Sequence, residues 1–529
     1  MKKFIFSLLA VSTFTLSGCT FPFGPNSHYY QTGKTYKNDQ LQFYFDMNLK
    51  KDVEVVENTL LDLARAGTDY FSFVMSYNGL SQYYNQVVDA YKYQDILFYM
   101  YGDETYKTKS QELYNFYVSI FSVFDKVHHI ILNNDFKESF YEGMSDEEIY
   151  ELIGPEKSDK YYLLEQELND IKAEFDLLDE KSSKFASEAE KLYIRYVNKA
   201  NELANSIGYT NYLEYAYKDI YSRSYTYLDS DTFFANFVDV GCPLFLSTYD
   251  EYKQLSSKLS AQDYQKLLAL TEGNGFLNYF SLFESYKDYI GGTYQNTFND
   301  LWYKYSTYFI SYENNAKSAA FTETINDIPI NVFCNRKELL TIVHEFGHYY
   351  NAVINGEDNL CYDLAETHSQ GNEMLFLSYL IDHHDASFST ELVNALALYQ
   401  RFDTMGTIYA SSLVNEVEKY AYLDDNLEVG ELDELVDRLY TLTGFNKYDI
   451  KNYWRRVVMH APCYYISYAT SGVEALYLFN DSRTDFTNAY SKYEKLIMRD
   501  QEEKDFLVIY EKAGLPSPFL VSTIEKAFK

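Results

Sequence analysis

The stretch LLTIVHEFGHYY (residues 339–350) places two histidines four residues apart within an apolar segment. Four residues make about one turn of an α-helix, so His344 and His348 would lie on one face, with Cβ atoms roughly 6 Å apart. That separation lets both imidazoles reach a single Zn²⁺ ion. Glu345 is adjacent, where its carboxylate can act on water rather than bind the metal. The stretch predicts a buried helix that carries a zinc site.

The alternative explanation of this pattern is a pair of core histidines with other polar partners. The chain has nine histidines among 529 residues, and an HExxH arrangement would arise by chance in roughly one such sequence in a hundred. Buried histidine and glutamate need partners, and a bound metal supplies one.

A third ligand would decide the class of the metal site. The metzincin pattern is excluded, because Asn351 and Ile354 stand where it requires glycine and histidine. The acidic candidates downstream are Glu357, Asp358, Asp363 and Glu366. Glu366 is preferred, since it opens an apolar helical run that can pack across the first helix. Glu373, two turns further along the same face, could orient a ligand histidine, and His368 would then point elsewhere as a neighbour.

Composition predicts an acidic, mainly helical protein. The 529 residues include only 22 Gly and 8 Pro, and the formal charge is −33. Apolar residues recur every three and four positions between residues 44 and 206, which indicates long amphipathic helices. The negative charge argues against nucleic acid as a partner, because its phosphates would be repelled.

One β signal lies at residues 321–334, where Pro329 favours an edge strand or the first residues of a strand.

The N-terminus is typical of an exported bacterial lipoprotein. Lys2 and Lys3 precede an apolar run over residues 4–16, which ends in LSGC at residues 16–19. We expect residues 1–18 to be a signal peptide, Cys19 to be lipidated, and residues 19–40 to be a flexible linker. The protein would then be anchored to the cell membrane and face outside the cytoplasm. An ordinary signal peptide or an uncleaved anchor is the alternative.

Four stretches over roughly residues 195–480 match one family pattern. They are HEFGH at 344–348, the spacing of Glu366, Ser369 and Glu373, the segment KSAAF (317–321) leading to IPIN (328–331), and PCYYISYA (462–469). Together they resemble the thimet oligopeptidase and oligoendopeptidase F family of zinc metallopeptidases. The Gly-rich loop of the thimet branch is missing, which points to the oligoendopeptidase F side. Val457 stands where that pattern has a histidine, and His460 lies closer to Pro462.

The resemblance implies a mainly α fold, a multi-helix bowl with a deep central channel and a small β-sheet beside the HExxH helix. It implies one Zn²⁺ per chain, held by His344, His348 and Glu366. The expected activity is hydrolysis of peptide bonds in oligopeptides by a metal-activated water, with Glu345 as general base. Catalysis would also involve a hydroxyl of the tyrosine motif as oxyanion donor, and a histidine beside that motif. These candidates are Tyr468, Tyr465 and His460.

The same resemblance sets the expected organisation and partners. Residues 41–200 would form an N-terminal helical domain and residues 201–529 the zinc metallopeptidase catalytic domain. The strand around residues 328–333 would pair with the backbone of an oligopeptide substrate. We expect no obligate protein partner. The alternative function is a surface lipoprotein that binds peptides without cleaving them.

Overall fold

The computed structural model describes residues 41–529, except 177, 180, 357–361, 385, 447–448, 460 and 501–502. Cys19 and His460 therefore lie outside the described residues, as do the segment 1–40 and the acidic candidates Glu357 and Asp358.

The described part of the chain is mainly α, with one small sheet, and this prediction is confirmed. The helices before the sheet are α1 Lys50–Ala66, α2 Tyr70–Tyr101, α3 Glu104–Ile131, α4 Phe136–Phe140, α5 Asp146–Ile153, α6 Asp159–Asp176, α7 Phe185–Ser206, α8 Tyr212–Tyr215, α9 Asp229–Asn236, α10 Cys242–Ser256, α11 Ala261–Thr271, α12 Gly275–Ile290 and α13 Gly292–Asn299. Those after it are α14 Leu339–Asn355, α15 Tyr362–His383, α16 Thr390–Leu423, α17 Glu431–Thr443, α18 Ile450–Val457, α19 Tyr465–Ser482, α20 Phe486–Ile497, α21 Phe506–Ala513 and α22 Val521–Phe528. Short 3₁₀ or π turns occur at Met47–Leu49, Ala216–Ile220, Phe237–Gly241 and Asp300–Tyr305.

An aspartate cap and a glycine determine where the long helix α2 begins and ends. The Asp69 carboxylate accepts the Ser72 N–H at the start of α2, which satisfies one of the free donors of the first turn. The helix stops at Gly102, whose φ of 64° ends it in a left-handed conformation. A side chain there would meet the Asn315 carbonyl oxygen at 1.8 Å, so both backbone conformation and close packing require glycine.

Three strands form a mixed sheet in the order β1-β3-β2: Tyr308–Ser311 (β1), Ala319–Ile325 (β2) and Ile328–Cys334 (β3). β2 and β3 are an antiparallel hairpin. Its two-residue turn, Asn326-Asp327, has φ values of 51° and 61°, as a type I′ turn requires. β1 pairs in parallel with β3, starting with Tyr308 opposite Asn331.

The expectation for the β signal at residues 321–334 is partly corrected. Pro329 does lie at the start of the strand, before the β1 ladder begins, so its missing N–H removes no bond to β1. However, β3 is the central strand, and an edge position for it is wrong. Residues 331–333 are paired on both sides, so a substrate backbone cannot pair with that part of the strand. β1, only four residues long, was not predicted.

The sheet lies between α2 and α14. One of its faces packs on α2 through apolar side chains: Phe321, Ile325, Ile330 and Val332 from the sheet, and Tyr93, Ile96, Leu97 and Met100 from the helix. On the opposite face, Thr322 contacts Glu345 of α14. Because side chains alternate along a strand, the face of β2 that carries Thr322 is the one turned to the HExxH helix.

A buried ion pair joins α2 to β2. Lys92 Nζ lies 3.1 Å from Glu323 Oε1, and the two side chains are 7% and 5% exposed. The same ammonium donates to the Thr324 carbonyl at 2.9 Å. Asp89 on α2 accepts the backbone N–H of Asn326 at 2.9 Å. The N-terminal helices therefore fix the hairpin that faces the HExxH helix.

Helix α15 is the centre of the C-terminal core. All of its residues from 363 to 380 are buried, as expected for a helix that is surrounded by others. It packs against α14, α16, α19 and α20. No helix among the described residues combines the length and the apolar character that crossing a bilayer requires.

The buried imidazole of His128 predicts acid sensitivity. Its two ring nitrogens hydrogen-bond the hydroxyls of Tyr77 (3.0 Å) and Tyr141 (2.5 Å), and burial lowers its pKa from 6.5 to about 3. Between those values the unfolded chain binds a proton that the native protein does not, so stability present above pH 6.5 is lost as the pH falls. From pH 7 to 4.5 this loss should reach about 2–3 kcal/mol.

Urea unfolding at the two pH values, for wild type and His128→Gln, measures this contribution. The variant should lose about 2–3 kcal/mol less than wild type over that interval. His383→Gln, at an exposed histidine, is the matched control and should keep the wild-type loss. Equal losses in wild type and His128→Gln would contradict the prediction.

Candidate metal centre

The HExxH residues lie on α14, as the sequence predicts, in a helix that is buried over most of its length. Glu345 is 3% exposed and His348 is 9% exposed. The side chain of His344 is 23% exposed, so the site is accessible on the His344 side. The imidazoles of His344 and His348 lie side by side, with ring centroids 5.0 Å apart.

α15 crosses α14 at Gly347, where the two backbones come unusually close. A Cβ on Gly347 would lie 2.4 Å from the carbonyl oxygen of His368 and 2.7 Å from the Cα of Ser369. Next to this crossing, the Asn372 amide donates to the Val343 carbonyl at 2.7 Å. Only glycine at position 347 allows α15 to lie near enough to present Glu366 to the two histidines.

Three side chains converge into a possible metal site, His344, His348 and Glu366, with ligand atoms within 4.8 Å of one another. Glu366 Oε2 is 3.5 Å from His344 Nε2 and 3.8 Å from His348 Nε2. Two ligands of a tetrahedral zinc, each about 2.0–2.1 Å from the metal, are roughly 3.4 Å apart. Two imidazoles and a carboxylate are also a donor set that zinc accepts. The arrangement therefore fits one Zn²⁺ ion.

Glu373 lies behind His344. Its Oε1 is 2.6 Å from His344 Nδ1, and its Oε2 accepts a hydrogen bond from the Gln400 amide of α16 at 2.6 Å. Burial alone would lower the pKa of His344, but the hydrogen bond and charge of Glu373 outweigh it and raise the pKa to about 9. The contact directs the other ring nitrogen, Nε2, towards Glu366.

The other two converging side chains, Glu366 and His348, are prepared for metal binding by a hydrogen bond and by burial, respectively. The hydroxyl of Ser369, one turn after Glu366, donates to Glu366 Oε2 at 3.0 Å. Burial lowers the pKa of His348 to about 4, so this imidazole is neutral and able to bind a metal at physiological pH. His368, 2% exposed, lies near Arg499 (3.4 Å to Nη1) and is not part of the converging group.

Glu345 contacts the sheet and is not one of the three converging side chains. Its Oε2 accepts a hydrogen bond from the Thr322 hydroxyl at 3.0 Å. Burial raises the pKa of Glu345 to about 7, and the charge of His344 and the Thr322 bond oppose that rise. A carboxylate with a pKa near neutrality can both accept and return a proton.

The tyrosine motif lies at the start of α19, which packs along α15. The rings of Tyr465 and Tyr468 are 5.7 Å apart. Tyr465 is 9% exposed, and Tyr468 is half-buried. Ser467, between them, donates to Asp363 Oδ1 of α15 at 2.8 Å, and Asp363 precedes Glu366 by one helical turn. His460 is outside the described residues.

Three contacts of this site were not predicted from the sequence: those of Thr322, Asn372 and Gln400. Thr322 reaches Glu345 from a strand, and Gln400 reaches Glu373 from a different helix. Neither has a spacing relative to HExxH that could have revealed it. Asn372 is adjacent to Glu373 in the sequence. This adjacency, on the helix that packs against α14, is the feature that could have indicated a role for Asn372.

The overall fold is similar to that of several solved peptidases. A structure assigned as an oligoendopeptidase F covers 93% of this chain and 97% of its own, with 12% identity and a TM-score of 0.72. PZ peptidase A with an inhibitor covers 92% and 97%, with 14% identity and a TM-score of 0.70. A structure assigned as an oligoendopeptidase F from Bacillus anthracis covers 94% and 97%, with 14% identity and a TM-score of 0.66. The chain has the oligoendopeptidase F fold.

The sequence resemblance is thus confirmed for the fold, over nearly the whole length of these structures. No protein-family model matches the chain, and no curated protein sequence matches it significantly. Sequence identities of 12–14% leave the chemistry to be argued from the residues of the site.

The crossing at Gly347 predicts a severe effect of one added methyl group. In Gly347→Ala the new Cβ must displace the α15 backbone, so we expect a loss of about 1–3 kcal/mol in unfolding free energy. Displacement of Glu366 should also weaken zinc binding by at least about tenfold. Urea unfolding and competition with a chromogenic chelator measure the two effects.

Gly79→Ala is the matched control. Gly79 is a partly exposed residue within α2, and a Cβ there would meet no atom of the described residues within 4 Å. Alanine should stabilise the helix by about 0.5–1 kcal/mol and leave zinc binding unchanged. If Gly347→Ala behaved like this control, the close crossing would not be what holds the ligands together.

Proposed function

We propose that this protein is a zinc-dependent endopeptidase that hydrolyses oligopeptides. The observation that carries the proposal is a buried carboxylate, Glu345, which Thr322 contacts and which lies next to three converging side chains able to hold a metal. A structural or storage metal site needs no such group, whereas hydrolysis needs a base that also serves as an acid. The peptidase folds found by structural comparison agree with this assignment.

His344, His348 and Glu366 would hold the zinc ion. When bound, zinc supplies Lewis-acid chemistry, lowering the pKa of water and polarising a carbonyl. Glu373 keeps His344 oriented through the 2.6 Å contact at Nδ1. Four buried or half-buried side chains thus serve a single site. Two imidazoles and one carboxylate would bind the metal, and the carboxylate of Glu373 orients one of the imidazoles.

Glu345 moves the proton. It would take a proton from the attacking water at Oε1 or Oε2 and deliver it to the amine that leaves when the peptide C–N bond breaks. The Thr322 hydroxyl lies 3.0 Å from Oε2, so it restrains this oxygen before substrate arrives. A hydroxyl of the tyrosine motif, Tyr465 or Tyr468, would donate to the oxyanion of the tetrahedral intermediate.

β2 replaces β3 as the strand proposed to bind substrate. In the hairpin, Ile325 and Ile328 form the pair next to the turn, and the hydrogen-bonding direction alternates from there. The backbone groups of Ala320 and Thr322 are therefore directed to the outer edge of β2. An extended peptide could add there as a further strand, with its backbone recognised in a largely sequence-tolerant manner.

Export and anchoring at Cys19 remain part of the proposal. They are supported by the basic residues, the apolar run and the LSGC sequence within residues 1–19. The enzyme would then act outside the cytoplasm on peptides that reach the cell surface. Incorporation of labelled palmitate by the full-length protein, absent in Cys19→Ala, is the expected result, and equal labelling of both would refute it.

Glu345→Gln tests the proposed chemistry. The amide keeps the size of the side chain but cannot accept the proton, so cleavage of a quenched peptide library should fall by about 10²–10⁴-fold. Zinc content should remain that of wild type. Chelation should abolish wild-type activity, and zinc should restore it. A zinc-replete wild type that binds peptides without cleaving them would favour the non-catalytic alternative, and full activity in Glu345→Gln would refute the assigned base.

Thr322→Val tests whether the base is held by the sheet. Valine has the shape of threonine but removes the hydrogen bond to Glu345, so kcat should fall roughly tenfold through loss of orientation. Thr324→Val is the matched control, because the Thr324 hydroxyl is buried on the same strand and has no hydrogen-bond partner within the described part of the chain. The control should keep wild-type kcat. Equal kcat in both variants and wild type would show that Thr322 does not position Glu345.

A further inference from the structure

The turn that precedes the tyrosine helix contains a strained residue. Cys463 has a φ of 64°, in the left-handed region that costs a residue with a Cβ roughly 1–2 kcal/mol. It is 1% exposed and lies two residues before Tyr465. Backbone conformations of this kind persist only when the surrounding structure enforces them, and they concentrate at functional sites.

Side chains from two distant segments hold the backbone of this turn. The Cys463 N–H donates to Glu418 Oε1 of α16 at 2.7 Å, and its carbonyl accepts a hydrogen bond from Arg223 Nη1 at 2.9 Å. The hydroxyl of Tyr221 donates to the Pro462 carbonyl at 2.6 Å. Both backbone groups of the strained residue are thus bonded to ionisable side chains that are buried.

The Arg223 guanidinium also connects the turn to both helices of the site. Its Nη2 donates to the Ser467 hydroxyl on α19 at 2.8 Å, and its Nε lies 3.5 Å from Asp363 Oδ1 on α15. The side chain is fully buried. It packs on the rings of Tyr217 and Tyr221, at 4.3 Å and 4.5 Å from their centroids.

The buried charged groups around the Cys463 turn are better explained as orienting the turn than as stabilising the fold. Removing an ion pair from water costs about as much as the attraction returns, so a buried pair contributes little net stabilisation. The N–H groups of a planar guanidinium, however, point in fixed directions. Arg223 can therefore determine the orientation of the groups that accept its hydrogen bonds. α15 has its own constraint at the Gly347 crossing, whereas the strained Cys463 receives its backbone bonds from Arg223 and Glu418.

We propose that Arg223 and Glu418 are positioning residues for catalysis: by holding the Cys463 turn, they place the hydroxyl of Tyr465 or Tyr468 over the metal site. The inference rests on the proposed peptidase function. Neither residue touches the substrate or the metal ligands in this proposal. Their effect passes through the turn to the first residues of α19, and so to the oxyanion of the intermediate.

Arg223→Lys is the central variant. It keeps a positive charge opposite Asp363 but cannot donate to Cys463 and Ser467 in the same plane. We expect kcat to fall on the order of 10²-fold, as for a catalytic group displaced by about 1 Å. KM and the zinc dissociation constant should stay within about threefold of wild type, because substrate binding at β2 and the ligand set do not depend on the turn.

A double-mutant cycle identifies the route of the effect. Tyr465→Phe and Tyr468→Phe are measured separately, and the one that lowers kcat is combined with Arg223→Lys. If Arg223 acts through that hydroxyl, the double variant should be within about twofold of the tyrosine variant alone. Multiplied losses, or a loss of zinc in Arg223→Lys, would overturn the inference while leaving the peptidase assignment intact.

Glu418 approaches the same turn from the other side and covers the case in which Arg223→Lys does not fold. Burial raises the pKa of Glu418 to about 8, so glutamine is a close mimic of its neutral form and keeps an acceptor for the Cys463 N–H. Glu418→Leu should lower kcat by at least about tenfold with zinc retained, and Glu418→Gln should restore most of it. Equal kcat in these two variants would overturn the inference. If neither tyrosine variant affects kcat, the inference falls as well, and an inactive zinc-replete wild type overturns the proposed function itself.

Discussion

Helices α14 and α15 approach each other at Gly347 until no side chain fits between them, and the metal-binding geometry depends on that contact. Two histidines one turn apart are a property of α14 alone. The third ligand belongs to another helix, and Glu366 can meet both imidazoles only if the two helix axes are unusually close. The Asn372 amide, bonded to the Val343 carbonyl, fixes the rotation of α15 at the same point. The complete site is thus a consequence of one backbone-to-backbone contact.

Burial of three carboxylates determines the electrostatics of the site. Glu345, Glu366 and Glu373 are each 3% exposed or less, and like charges so close together are unfavourable in a protein interior. Burial raises the pKa of Glu345, and the negative charge of the neighbouring carboxylates, Glu373 above all, raises the pKa of His344. A divalent cation held by the three converging side chains would offset this negative charge.

Local patterns in the sequence predict the parts of this protein that depend on neighbouring residues. HExxH and the apolar spacing were sufficient for α14 and for the helix that begins near Glu366. The sheet was predicted less well, because strand order depends on pairing between distant segments. β1 has four residues, too few for an alternation, and its pairing made β3 central. Thr322 lies at the site for the same reason: the β2–β3 hairpin brings it there, and its position in the chain gives no sign of this.

The ion pair of Lys92 and Glu323 limits how such a protein can change during evolution. β2 lines the proposed catalytic groups on one face, and on the other its buried carboxylate depends on an ammonium from α2. Exchange of the N-terminal helices for unrelated ones by recombination would leave the buried Glu323 side chain without its ammonium partner. The two parts of the chain must therefore be inherited together. New peptide preferences would then arise by stepwise substitution along the outer edge of β2 more easily than by shuffling of whole segments.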